Sequence, residues 1–140
     1  MEYAREFLFD PLGIRDWYWK KSPTGFPDSE GGLYLRAEDL AKIGYLYLHD
    51  GVWNGRRILP EGWVKDATSP HARVNATWQY GFQWWLTTRN GADVWAGRGF
   101  GGQLLFVIPS KQTVAVVNAW NVFGAKAKDI SAALLELLTS

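Results

Sequence analysis

An α+β fold, an antiparallel β-meander flanked by helices, follows from three features of this sequence. Apolar, strand-like runs crowd the second half of the chain. The connections between them are tight-turn signals, too short for the crossovers that parallel strands need. Helical periodicity appears over Glu38 to Leu48 and again near the C-terminus, while the first third is rich in turn formers.

The elements run as follows. Glu2 to Phe9 predicts a short helix, stopped by Asp10-Pro11 because the residue before a proline avoids helical geometry. Residues 13 to 32 hold Pro23, Gly25, Pro27 and Gly31-Gly32 and predict one long loop. Glu38 to Leu48 places Leu40, Ile43 and Tyr47 on one helical face, with acids at its start and Gly51 past its end. Pro60 to Asp66 predicts a short helix with proline in its first turn. Strands are expected at Tyr80 to Thr87, Asp93 to Ala96, Gln103 to Ile108 and Thr113 to Ala119, with Asn90-Gly91 and Ser110-Lys111 as turns. Ala125 to Leu138 predicts an amphipathic closing helix. With no internal repeat and no linker, residues 1 to 140 read as one domain.

Composition excludes several classes of function. The net charge of +1 gives no field to attract nucleic acid or an anionic membrane. Cysteine is absent, so there is neither a disulfide framework nor a thiolate metal site. No apolar run reaches membrane-spanning length, and the start, MEYAREFLFDPLG, carries too many charges for a signal peptide. The expected compartment is the bacterial cytoplasm. Nine tryptophans suggest an aromatic core, with some rings lining a pocket or an interface.

Gly97, Gly99 and Gly102 spell the dinucleotide fingerprint G-x-G-x-x-G. That motif requires a helix after the glycines, whose N-terminus faces a pyrophosphate. Here the next run is Gln103-Leu-Leu-Phe-Val-Ile-Pro109, which suits a strand, and no acidic residue stands near Asn118 to Asn121 for a ribose. No nucleotide cofactor is therefore expected. The glycines serve close approach of a backbone or a ligand.

Five ordered pieces carry a resemblance: FLFDPLGIRD (7–16), GGLYLRAEDLAKIGYLYLHDGVWNGRRIL (31–59), YGFQWW (80–85), GRGFGGQLLFVIP (97–109) and VAVVNAW (114–120). Together they resemble the C-terminal portion of the serine β-lactamase and penicillin-binding-protein superfamily. The nearest branch is that of class C-like esterases, D-aminopeptidases and 6-aminohexanoate-dimer hydrolases. The resemblance implies that the glycine-rich strand is one wall of an active site. Gly99, Phe100 and Gly101 then border the oxyanion hole, and the Phe100 N–H is the candidate donor. Three departures stand out. Trp95-Ala-Gly97 replaces the family's Lys-Thr-Gly or His-Thr-Gly, without the cation. Leu35-Arg36 stand where an N-cap hydroxyl is usual. Neither Ser-x-x-Lys nor Tyr-x-Asn, the family's nucleophile and relay, occurs anywhere in the chain. By the resemblance this is a family enzyme begun midway, inert by the family mechanism on its own.

A metal offers another chemistry, since it supplies both a nucleophilic hydroxide and a Lewis acid. The ligand candidates are Asp28 and Glu30, spaced i and i+2, with His71 from a later loop; His49 and Asp50 stand in reserve. Oxygen and nitrogen ligands with an open position suit zinc or manganese. The bland alternative makes these solvated loop residues. Three readings stay open: a serine-hydrolase fragment, a metal-dependent hydrolase of phosphoesters or activated esters, and a non-catalytic assembly module. The expected partners are a small ester, amide or phosphoester and a second copy of the chain. The homodimer is expected because apolar strands from Tyr80 to Thr87 and from Gln103 to Ala119 would otherwise face water.

Overall fold

The structure, a computed structural model, describes residues 1–29, 31–119 and 130–140. The first segment is helical as expected, but in two parts. Helix α1 (Glu2–Ala4) widens at Arg5–Phe9 into a π-helical turn, with Asp10 N donating to Arg5 O at 2.8 Å. Pro11 contributes no N–H, and Gly13 at φ +66° reverses the chain so that Ile14 N reaches Phe9 O at 2.8 Å.

The expected loop over residues 13 to 32 contains a strand. β1 (Trp17–Trp19) pairs antiparallel with β2 (Leu33–Leu35), Tyr18 opposite Tyr34. Trp17, Trp19, Leu33 and Leu35 pack on Phe9, Leu12 and Ile14, while the two tyrosines stay exposed. Three alternating residues per strand are too short a signal to outweigh the surrounding turn formers.

α2 (Ala37–Leu48) follows the periodicity. As the Leu35-Arg36 sequence implies, its N-cap, Arg36, makes no side-chain capping bond. Asp39 is buried in its first turn and pairs with Lys42 Nζ at 2.6 Å, which also reaches Gly13 O at 3.3 Å. β3 (Val52–Trp53) and β4 (Arg56–Arg57) close around Asn54-Gly55, both at positive φ, as a two-residue hairpin demands. α3 (Trp63–Ala67) begins three residues after Pro60.

The remaining strands form one antiparallel sheet. They are β5 (Ala72–Arg73), β6 (Gln79–Tyr80), β7 (Trp85–Arg89), β8 (Ala92–Gly99), β9 (Gln103–Ile108) and β10 (Thr113–Val117), in spatial order β10-β9-β8-β7-β6-β5. This is the predicted meander, lengthened by two short strands at the β5 edge. The strand expected over Tyr80 to Thr87 is broken. At Gly81 a Cβ would lie 2.1 Å from Ala67 O, and Gln83 adopts φ +65°, so the chain kinks against the end of α3. α4 (Ser131–Thr139) closes the described chain. The predicted start of that helix, from Ala125, lies outside the described residues.

Alternation along the strands builds two apolar layers. Leu105, Val107, Val114 and Val116 face α2, together with Leu86 and Trp95. Leu104, Phe106, Ile108, Val94 and Ala96 face α4 through Leu134, Leu135 and Leu138. β9 is thus buried on both sides, which explains its near-continuous apolar run. Each fully buried side chain such as Phe106 contributes about 1.5–3 kcal/mol. Of the runs expected to meet water, Tyr80 to Thr87 and Gln103 to Ala119, β9 is covered on both faces by α2 and α4, while β10 is half-buried along its length and β7 is buried only at Leu86.

α4 is fastened to the β7–β8 turn by polar contacts. Arg89 donates to Glu136 Oε2 from Nε at 3.1 Å and from Nη2 at 2.9 Å. Asn90 Nδ2 reaches Glu136 Oε1 and Thr139 Oγ1, each at 3.2 Å. The Asn90 hydrogen bond, then the Arg89 bond and charge, hold the Glu136 carboxyl below its ordinary pKa. A carboxylate with a depressed folded-state pKa stabilises above its unfolded value and loses that contribution as pH falls through the folded one. Urea midpoints of the native chain and of Glu136→Gln should therefore differ at neutral pH and converge in acid. A gap that is constant with pH would mean the contact is not electrostatic.

Candidate functional site

The glycine-rich turn is where the sheet leaves a backbone open. β8 ends at Gly99, opposite Gln103 at the start of β9. A Cβ at Gly99 would come 2.9 Å from the Gln103 Cβ, so the close pairing there requires glycine. The strands are joined by Phe100, Gly101 at φ +80° and Gly102 at φ +89°. As expected, the glycines open into a strand and not a helix. The N–H groups of Phe100, Gly101 and Gly102 make no hydrogen bond among the described residues. Phe100 is 85% exposed. Unpaired N–H groups on a fixed turn are the parts from which an oxyanion hole is made.

Two residues beside the turn hold it, and neither stands out in the sequence as functional. Arg98 lies over Trp78 and Trp85, 5.1 and 5.5 Å from the ring centroids, on the α4 side of β8. Gln103 donates from Nε2 to Ala119 O and so ties the start of β9 to the chain beyond β10. The available signal was a polar residue at each end of the glycine run, in otherwise apolar surroundings.

The structure does not bring the proposed ligands Asp28 and His71 together. Asp28 lies beside β1, where its N donates to Lys20 O and its carboxylate sits 3.9 Å from Lys20 Nζ. β2 is linked to the β10 side by the bond from Asn118 Nδ2 to Leu35 O. His71 is at the opposite, β5 edge. Its backbone N donates to Tyr80 O, its Nε2 lies 2.8 Å from Asp66 O, and its ring stacks on Phe82 at 4.1 Å. Glu30 lies outside the described residues. His49 stacks on Tyr45 at 3.8 Å, and Asp50 takes part in an ion pair with Arg57. Among the described residues no group of three or more His, Asp or Glu side chains is placed to share a metal ion. Nor, among them, is any helix long and apolar enough to cross a membrane.

Comparison with known proteins gives this geometry a lineage. The family model described as Beta-lactamase matches residues 1–139. The 6-aminohexanoate-dimer hydrolase of Paenarthrobacter ureafaciens is 32% identical over 108 residues, covering 69% of this chain and 27% of that protein. An uncharacterised protein of Alkalihalophilus pseudofirmus is 29% identical over 126 residues, covering 81% of this chain and 36% of its own length. The fold matches a putative 6-aminohexanoate-dimer hydrolase from Bacillus anthracis with TM-score 0.78 at 23% identity, over 96% of this chain and 37% of that one. It also matches a penicillin-binding protein from Bacillus halodurans with TM-score 0.70 at 21% identity, over 97% and 49%. The chain spans about a quarter to a half of the lengths of these relatives. A match over nearly every residue, on a fold of the same kind, means that the chain belongs to the Beta-lactamase family, a lineage of hydrolases.

Proposed function

We propose that this chain supplies the oxyanion wall of a β-lactamase-like hydrolase acting on amides or esters. The observation that carries the reading is the open turn at Phe100 to Gly102, with its unpaired N–H groups at the end of a strand held on both faces. The Phe100 N–H is the donor, and Gly99 and Gly101 keep the approach clear. A substrate carbonyl lying along the outer side of the turn would gain negative charge on its oxygen as a nucleophile attacks, and the N–H would stabilise that charge.

The nucleophile must come from elsewhere. No serine of these 140 residues has lysine three positions on, and an unactivated serine is a poor nucleophile at neutral pH. Chemistry thus depends on a Ser-x-x-Lys segment outside this sequence. The name of the Paenarthrobacter relative, 6-aminohexanoate-dimer hydrolase, makes a linear amide the first substrate to try.

Incubation with a fluorophosphonate or a fluorescent penicillin, followed by intact mass, tests the reading. The 140-residue chain alone should take no adduct. Co-expression with the part of the Paenarthrobacter hydrolase outside the matched 108 residues should give one adduct, on the serine of that part. A stoichiometric adduct on a serine of this chain alone would overturn the proposal.

A further inference from the structure

A recess lies on the α2 side of the sheet, away from the glycine turn. Its volume is about 410 Å³, within the range of roughly 300–1,000 Å³ typical of small-molecule clefts. Its floor is a cross-strand row: Arg73 opposite Gln79, Gln79 opposite Leu86, and Leu86 opposite Trp95. Thr88 and Asp93 form the neighbouring pair, and Asn75 to Thr77 with Thr68 and Pro70 make the walls. Trp95 lies nearer the middle of β8 and Asp93 nearer its start, so the recess is remote from Gly99.

The polar groups here are only partly used. Arg73 spends its Nε on Asn75 O, while its two terminal nitrogens make no bond among the described residues. The Gln79 amide, the Asn75 Nδ2 and the Thr77 hydroxyl make none either. Asp93 accepts one bond, from the Thr88 hydroxyl at 2.9 Å. Among the described residues the Trp95 indole N–H has no partner, and it is not buried. One cation and one anion leave the lining without net charge, so it favours neither phosphate nor an amine. What remains is a half-buried indole and Leu86 beneath a ring of unspent hydrogen-bonding groups. A pyranose ring offers the complement, with an apolar C–H face to lie on an aromatic surface and equatorial hydroxyls to meet planar amide, guanidinium and carboxylate groups.

We propose that this recess binds a neutral saccharide, stacked on Trp95 and hydrogen-bonded by Arg73, Gln79 and Asp93. The recess shares no residue with the Gly99 to Gly102 turn, so sugar binding and acylation are read out separately.

Titration of the isotopically labelled chain with cellobiose, maltose and N,N′-diacetylchitobiose, followed by nuclear magnetic resonance, tests it. At least one sugar should shift the Trp95 indole N–H and the Gln79 amide saturably, with a dissociation constant on the order of 1 mM. Arg73→Ala and Gln79→Ala are exposed changes that should leave the melting temperature unchanged. Each should weaken binding roughly fivefold, the worth of one hydrogen bond. The idea is overturned if no sugar saturates these signals at about 50 mM. It also falls if glycylglycine or inorganic phosphate binds there in preference, or if both variants bind as the native chain does.

Discussion

Gly44→Val is expected to destabilise the protein by about 3 kcal/mol, the upper range for overpacking a filled interior. Gly44 is buried in the middle of α2, where the helix crosses β9 and β10. A Cβ at this position would lie 2.7 Å from Val114 Cγ1 and 2.9 Å from Leu105 Cδ1. Both atoms belong to side chains packed in the same layer, so neither can swing away into solvent. Gly44→Ala should cost less, about 1 kcal/mol, because alanine returns much of the helix propensity that glycine forfeits. Val114→Ala removes the nearest obstacle. The double variant Gly44→Ala/Val114→Ala should therefore be more stable than the sum of its single changes, by about 0.5 kcal/mol or more. Urea unfolding reads all of this. A Gly44→Val chain as stable as the native one would mean that the helix rides higher on the sheet than the structure places it.

This contact also shows what a sequence can and cannot disclose. The face of α2 carrying Leu40, Ile43 and Tyr47 was legible, because each turn repeats it. Gly44 was not, since a glycine in a helical pattern has the same spelling whether it is packed against a sheet or open to water. The meander was legible because Asn90-Gly91 and Ser110-Lys111 punctuate runs that end at Pro109 and begin at Thr113. The hairpin β1–β2 was hidden, since its paired residues stand far apart in sequence, with Trp17 opposite Leu35 at the outermost pair, around a stretch of turn formers. Gly81 broke the expected strand at Tyr80 to Thr87 through a contact with the Ala67 carbonyl, and sequence periodicity cannot report a non-local clash.

The candidate site was legible in part. The glycine run and the absence of Ser-x-x-Lys could both be read directly. Asp28 and His71 pair plausibly in sequence because neither loop's spacing fixes its place in the fold. In the structure Asp28 lies beside β1, whose partner β2 is bonded to the chain after β10, while His71 lies beside β5 at the far edge of the six-stranded sheet. The recess over Trp95 was invisible for the same reason: Arg73, Gln79, Leu86 and Trp95 become neighbours only through register, and register across four strands is a tertiary property.

Phe100→Pro should lower acylation by about 10²- to 10³-fold, the loss that follows removal of one oxyanion donor. The measurement is made on the co-expressed assembly that carries the Ser-x-x-Lys segment. Proline deletes the N–H and little else at this position. Phe100 has a negative φ, and its side chain is 85% exposed, so no core contact is lost. The residue before it, Gly99, is in a strand, the geometry that a following proline favours. Phe100→Ala keeps the N–H and removes the ring, and it should retain activity within a few-fold of the native chain. The two variants together separate the backbone from the side chain, and thermal melting of each confirms that the sheet is intact. If proline and alanine reduce the rate equally, the donor is not the Phe100 N–H, and the wall must stabilise the oxyanion through Gly101 or Gly102. If neither reduces it, the glycine turn takes no part in the chemistry.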